Sequence, residues 1–332
     1  MKPLALLALS LSSLACSVAA SDRNTLVFSI DNDGMVRTDH DYSNGLFLSY
    51  TTGAINPPMF LRPLSLSAWG VSSLDKFEFV LGHKMWTPED IEEENAIAGD
   101  RPYAGFFHTE FNYISLHPQQ AHRFNLTVGV TGDNSFASEA QSIVHSIVGS
   151  DDPMGWDNQI DEGWVGSIGY LSHYNLMRER SFGNSQVEIS NVSEVNAGNF
   201  RSDISTGFMF RWGTDLEGNM GSANIDHENP FRAGMIGASN SGWFGFAGAK
   251  GRIRFNDVTI EGHRELVNPD PNLPLSAYEM EIEPLQASMI VGMVWYNQNF
   301  GASLTISGHT PEYKDAPQPV YGTGGFTLFG FF

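Results

Sequence analysis

Cysteine is almost absent: the one thiol in 332 residues is Cys16, inside the apolar leader described below. An exported chain without disulfides must be held by a large core or by a closed hydrogen-bonded sheet. Beyond its first twenty residues the sequence also lacks any run of about eighteen apolar residues, which excludes a membrane-spanning helix. Basic residues are scarce, with 18 Lys and Arg against 38 Asp and Glu and a formal net charge of -20. Such a surface repels nucleic acid, and it repels anionic headgroups unless divalent cations intervene. The same imbalance suits a protein that is acidic for solubility alone.

What is present begins with a secretory signal. Lys2 precedes an apolar run from Leu4 to Leu14, and Val18-Ala19-Ala20 leads into Ser21-Asp22-Arg23. The run is too short to span a bilayer and its small-residue end fits a peptidase site, so residues 1–20 are read as a signal peptide and 21–332 as the mature domain. Leu14 lies one place from where a lipoprotein signal needs leucine relative to Cys16, so no lipid anchor is expected.

Period-two alternation then recurs in segments about ten residues long, the length of a tilted membrane-spanning strand. Phe124, Leu126, Val128 and Val130 point one way, with Arg123, Asn125, Thr127 and Gly129 the other. Ile204, Thr206, Phe208, Phe210 and Trp212 alternate in the same manner with Ser205, Gly207, Met209 and Arg211. Similar segments lie near 25–33, 44–53, 77–86, 103–115, 163–176, 185–197, 242–256, 283–297, 299–309 and 322–332, which makes about twelve. An even count suits a bacterial single-chain barrel. The fold class read from these patterns is all-β, a transmembrane antiparallel β-barrel of about twelve strands with a short helix in an extracellular loop. Near Asn256-Asp257 the apolar phase changes, which predicts a bulge or a strand leaving the bilayer.

A soluble β-sandwich also alternates. Against it stand 34 glycines, an aromatic content of 12% and aromatics at segment ends, namely Trp86, Tyr103, Tyr170, Trp243, Trp295 and Tyr296, read here as interfacial girdles. The chain closes on Phe326-Thr327-Leu328-Phe329-Gly330-Phe331-Phe332. A terminal strand ending in phenylalanine resembles the signal read by the outer-membrane assembly machinery, although Phe329 and Phe331 blur its alternation. With an inward N-terminus the outer loops fall near 34–43, 87–102, 132–162, 198–203, 261–280 and 310–321. Within the third, Ser135 to Val148 reads as a helix capped by Asn134 or Ser135. Phe136, Ala140, Ile143, Val144 and Ile147 make its apolar face, and Ser138, Gln141, Ser142 and His145 a small polar face.

Three clusters meet this rim. Asp31-Asn32-Asp33-Gly34 and Thr38-Asp39-His40-Asp41-Tyr42-Ser43-Asn44-Gly45 place carboxylate, amide and hydroxyl oxygens at adjacent strand ends. Those donors suit a hard cation such as calcium, and an Asx-rich turn accounts for the same residues equally well. Lys84 and Arg101 bracket the second outer loop and offer a phosphate clamp, while the blander alternative pairs Asp100 with Arg101 as a rim salt bridge. The third cluster is the helix with His145, followed by Asp151 and Gly155-Trp156-Asp157-Asn158-Gln159. A histidine on a loop helix beside rim oxygens suits hydrolysis by an activated water, with a metal polarising the ester carbonyl.

At these residues a resemblance becomes specific. The strings Asn32-Asp33, Asp41-Tyr42-Ser43-Asn44-Gly45, Asp100-Arg101-Pro102-Tyr103-Ala104-Gly105, His145-Ser146-Ile147-Val148, Gly155-Trp156-Asp157-Asn158-Gln159 and Glu312-Tyr313 resemble the motifs of the lipid A 3'-O-deacylase family of outer-membrane proteins. They occur in the same order along essentially the whole mature chain. The resemblance implies a twelve-stranded barrel with its site between wall and loop helix, using Ca2+ in a phospholipase A2-like mechanism. It implies a catalytic histidine at His145, the asparagine-aspartate pair at Asn32 and Asp33, a rim residue at Ser43 where the family has threonine, and an acidic residue at Asp151 where it has glutamate. Asp33 and Asp151 are the metal ligands so implied. The resemblance implies lipopolysaccharide (lipid A) as substrate and the outer membrane as its setting; the C-terminal Phe332 adds the assembly machinery, the acidic charge predicts no nucleic acid, and a monomeric barrel is expected. An outer-membrane phospholipase, or a non-enzymatic pore or surface-binding barrel, is the alternative.

Overall fold

The computed structural model describes residues 23–36, 41–148 and 152–332. The expected signal peptide over 1–20, the rim residues Thr38, Asp39 and His40, and Asp151 lie outside the described residues. Twelve strands form one closed antiparallel barrel in chain order. They are β1 (Thr25–Asn32), β2 (Asp41–Thr51), β3 (Leu74–Thr87), β4 (Ala104–His117), β5 (Gln120–Thr131), β6 (Gly163–Arg180), β7 (Gln186–Gly198), β8 (Arg201–Gly213), β9 (Gly242–Asp257), β10 (Leu285–Tyr296), β11 (Phe300–His309) and β12 (Tyr321–Phe331). β1 closes on β12 with Thr25 opposite Phe331 and Asn32 opposite Gly324, so no sheet edge is left open.

The alternation decides which way each side chain points. On β1, Thr25, Val27, Ser29 and Asp31 are buried in the lumen while Leu26 and Phe28 are exposed on the outer wall. On β8, Ile204, Phe208, Phe210 and Trp212 are exposed and Asp203, Ser205, Met209 and Arg211 are buried. The outer wall is therefore the apolar band that a bilayer requires. The phase change expected near Asn256-Asp257 has two causes. The register between β8 and β9 shifts at Ser202/Asp203, and β9 ends at Asp257, whose side chain caps the single-turn helix α2 (Val258–Glu261).

The lumen is filled from the inner end. The connection between β8 and β9, residues 214–241, turns back into the barrel, and its middle stretch 219–237 is nearly all buried. Its limbs pair through Asn224 N–H to Pro230 O (2.8 Å) and Arg232 N–H to Ser222 O (2.8 Å). Leu216, Ala223, Ile225, Phe231, Ala233 and Ile236 pack with Phe244, Phe246, Phe329 and Phe331 of the wall in one apolar core. This explains the blurred alternation at the C-terminus: Phe329 and Phe331 face the inserted segment, while Phe332 is exposed. The inner part of the lumen is thus occupied by the chain's own residues.

Above that core the segment is held by ions. Arg232 reaches Glu110 (2.9 Å) and Glu78 (3.2 Å), Glu228 takes Lys84 (2.6 Å) and Arg201 (2.5 Å), and Asp226 takes Lys250 and Arg252, both at 2.8 Å. Much of the basic charge therefore sits inside the barrel in matched pairs, which leaves the acidic excess to the rest of the protein. Breaking one partner of a buried pair is expensive because the other charge stays desolvated. Arg232→Met is accordingly expected to destabilise the refolded barrel by about 3–5 kcal/mol, read from the shift in urea unfolding in detergent.

Three of the expected girdle aromatics are not girdle residues. Trp86 is fully buried and lies under the Arg201 guanidinium at 5.0 Å, because position 86 falls on the luminal side of β3. Tyr296 is buried with its hydroxyl bonded to Asn219 (2.9 Å) and Ser239 (2.6 Å) of the inserted segment. Tyr103 is covered by Trp156, with ring centroids 4.8 Å apart. Trp243 and Trp295 remain exposed on the wall.

Candidate active site

The outer ends of β1 to β4 carry a continuous row across the outer wall. Asn32 stands opposite Asn44, Asn44 opposite Met85, and Met85 opposite Gly105. Strands lie about 4.8 Å apart, so this row spans about 14 Å from the first member to the last. Ser43 is the extra residue where β2 shifts register between Tyr42 and Asn44. Its carbonyl accepts from Asn32 Nδ2 (2.8 Å), and its buried hydroxyl is 2.6 Å from the Thr87 hydroxyl at the end of β3. Asp33 follows in a 3-10 turn, Asp33–Val36, is buried, and accepts from Gly34 N–H at 2.7 Å. Three predicted site residues are thus brought together by one bulge and one turn.

His145 arrives on the helix α1 (Ala137–Val148), which packs on the outside of β3 and β4. The helix begins two residues later than expected, since Phe136 takes a left-handed backbone (φ 57°) after the 3-10 turn Gly132–Ser135. Ser135 does not cap it. Ser135 O instead lies 2.9 Å from His83 Nε2 on the wall, and its hydroxyl sits against Gly105. A Cβ on Gly105 would collide with Ser135 Oγ and Ala137 Cβ, so glycine is what allows the helix to lie this close.

The helix turns Gln141 and His145 of its expected polar face to the protein, while Ser142 of that face is exposed. Ala137, Gln141 and His145, spaced by four, are buried, while Phe136 and Ile143 are about 60% exposed. Eight residues at 1.5 Å each carry the helix about 12 Å from Ala137 to His145, a length comparable to the rim row beneath it. Gln141 Oε1 accepts from Trp156 Nε1 at 2.7 Å, and the Trp156 ring packs at a tilt against Tyr103. Asn158 Nδ2 donates to Glu94 O (3.0 Å) and Ile160 N–H to Tyr103 O (2.9 Å), so the segment after the helix clasps the second outer loop. The fixed Trp156–Gln141 bond sets the rotation of the helix one turn before His145. Thr87, Gln141 and Trp156 were not assigned roles from sequence. The signal for Gln141 was its spacing of four from His145 on one helix face.

The expected phosphate clamp and rim salt bridge are both corrected. Lys84 pairs with Glu228 in the lumen, and Arg101 pairs with Asp41 rather than with Asp100. Asp100 instead receives Glu89 N–H, its neighbour's N–H and the Tyr313 hydroxyl (2.9 Å). Under the rim, Asp31 receives Asn229 N–H from the tip of the inserted segment. Burial works to raise the carboxyl of Glu312 in the last outer loop, but Arg254 and Arg201 facing it hold it well below the usual carboxylate range. Burial, and then Asp100, push the Tyr313 hydroxyl up, so it is a donor at any ordinary pH.

Comparison with known proteins gives a family and a fold. A family model described as outer membrane protein LpxR matches residues 4–332. A solved structure of LpxR from Salmonella typhimurium superimposes with a TM-score of 0.76 at 19% identity, covering 93% of this chain and 100% of that one. The β-domain of the Bordetella autotransporter BrkA has a TM-score of 0.43 at 7% identity, over 93% of this chain and 97% of its own. No curated protein sequence matches the chain.

Proposed function

The chain belongs to the outer membrane protein LpxR family, and from that premise and the geometry of the rim we propose that it is a calcium-dependent lipid A 3'-O-deacylase of the outer membrane. The observation that carries this reading is the orientation of α1: the stripe Ala137, Gln141 and His145 is turned in and buried while Phe136 and Ile143 face out. A helix that only covered a barrel wall would bury its apolar stripe instead. Apolar side chains turned outward beside a buried histidine give acyl chains a surface to lie along while the ester reaches the polar side.

In the proposed reaction His145 takes a proton from a water at one ring nitrogen as that water attacks the ester carbonyl, and returns it to the departing sugar oxygen as the acyl C–O bond breaks, leaving a free fatty acid and a hydroxyl. Asn32, fixed to Ser43, and Ser43, fixed to Thr87, hold the water and the ester oxygen in place. Asp33 orients the histidine or serves as a ligand, and Asp151 completes the set. The residues fit a hard cation: Asn32, Asp33, Ser43 and Asn44 offer side-chain oxygens at this part of the rim, and Asn44 Oδ1 is buried without a hydrogen bond beside Asn32. Bound there, calcium supplies positive charge to polarise the carbonyl and stabilise the oxyanion.

The test uses purified full-length protein in mixed vesicles of lipid A and glycerophospholipid. With calcium, release of acyl chains from lipid A alone is expected, and chelation should abolish it, with full recovery on re-addition. Release from the glycerophospholipid would make the protein a phospholipase. Release unaffected by chelation would remove calcium from the mechanism.

A further inference from the structure

A second cluster of unsatisfied donors lies inside the barrel, away from the outer-wall site. His227, at the tip of the inserted segment, stacks on His309 at the end of β11, with ring centroids 4.0 Å apart. Glu312 follows in the last outer loop, and one ligand atom from each of the three lies within 4.8 Å of the others. All three are at least nine-tenths buried. Both ring nitrogens of His227, Nε2 of His309 and Oε2 of Glu312 make no hydrogen bond. Buried polar atoms without partners are costly, and several converging on one point call for an occupant.

We propose that His227, His309 and Glu312 hold a divalent transition-metal ion, best matched to zinc, with Asp41 as the fourth donor. The tautomer is prepared: His309 Nδ1 lies 3.0 Å from Thr310 O, so Nδ1 carries the proton and the Nε2 lone pair faces the cluster. Asp41 Oδ2, also without a hydrogen bond, lies 3.9 Å from that Nε2, and His227 Nε2 lies 3.9 Å from Glu312 Oε1. Zinc bonds of about 2.0–2.2 Å place tetrahedral ligand atoms about 3.4 Å apart, so these donors converge by rotations of about an ångström. Two imidazoles with carboxylates select such an ion over calcium, which takes oxygen alone.

The position gives the site its purpose. His227 comes from the inner end of the barrel, His309 from the wall, Glu312 from an outer loop, and Asp41 from the start of β2, two residues before Ser43. The ion would staple the inserted segment to the outer ends of β2 and β11, and the same segment already gives Asn229 N–H to Asp31 of β1. The competing occupant is a proton on His227, whose ring nitrogens lie 3.5 Å from Asp226 and Glu228.

Metal-stripped full-length protein in detergent, titrated with Co2+, decides between them. One equivalent is expected to develop the strong visible bands of a four-coordinate cobalt site, displaced by Zn2+ and not by Ca2+. His309→Gln and Glu312→Gln should each weaken binding at least tenfold, whereas Asp33→Asn, at the outer-wall rim, should leave it unchanged. Absence of the bands in the wild-type protein overturns the site whether or not any variant folds. Bands that survive both His309→Gln and Glu312→Gln, or that vanish with Asp33→Asn, overturn it as well.

Discussion

Replacing His145 by glutamine is expected to lower lipid A deacylation by about 10²–10⁴-fold, the range that a positioned general base contributes. Glutamine fills much of the same volume and can still hydrogen-bond, so the packing of the buried stripe Ala137, Gln141 and His145 is largely retained. The loss should appear in kcat, with KM little changed, because the side chain acts on the water rather than on the acyl chains. The barrel itself should be unaffected, since α1 sits on the outer wall and contributes no pairing to the sheet. Unchanged heat-modifiable migration beside a collapsed rate is the expected pair of results. A rate within threefold of wild type would remove His145 from the chemistry.

Gly105→Ala is expected to cost nearly as much, about a hundredfold, although the residue touches no substrate. Its new methyl group would overlap Ser135 Oγ and Ala137 Cβ, so the start of α1 must lift from the wall. A misplacement of about 1 Å between reacting groups is enough for a loss of that size. The account predicts rescue: Ser135→Gly with Ala137→Gly in the Gly105→Ala background removes both atoms that collide and should recover a large part of the rate. Failure of the rescue, with the barrel folded, would mean that Gly105 matters for a reason other than the seat of the helix. Measuring kcat for the three proteins under saturating lipid A separates the outcomes.

The wall was legible because a bilayer imposes an unbroken rule on one face of each strand. Outward positions such as Leu26 and Phe28 or Phe208 and Phe210 have only lipid to meet, so their alternation survives in the sequence. The rim motif was legible for a related reason: Asn32, Asp33 and Ser43 lie at adjacent strand ends, and a hairpin brings sequence neighbours together. The lumen follows no such rule. It holds an apolar core and buried ion pairs, and both are built around residues 214–241, which fold back inside. Two signals of that insertion were present. The connection is long where inner turns of such barrels are short, and Phe244, Phe246, Phe329 and Phe331 stand on a face that otherwise reads polar or small. Trp86 and Tyr296 were misread as girdle residues for the same reason, since a position near a strand end does not reveal whether it faces lipid or lumen. The helix was placed to within two residues, yet which stripe it buries depends on Gly105 and Trp156, far away in sequence.

The most direct test is mass spectrometry of lipid A from cells expressing the wild-type protein and His145→Gln at equal levels in the outer membrane. The account predicts that the wild type removes one 3'-linked acyloxyacyl unit as an intact fragment and that lipid A from the variant keeps its full mass. Identical, full-mass lipid A from both, with both barrels folded, would contradict the deacylase assignment.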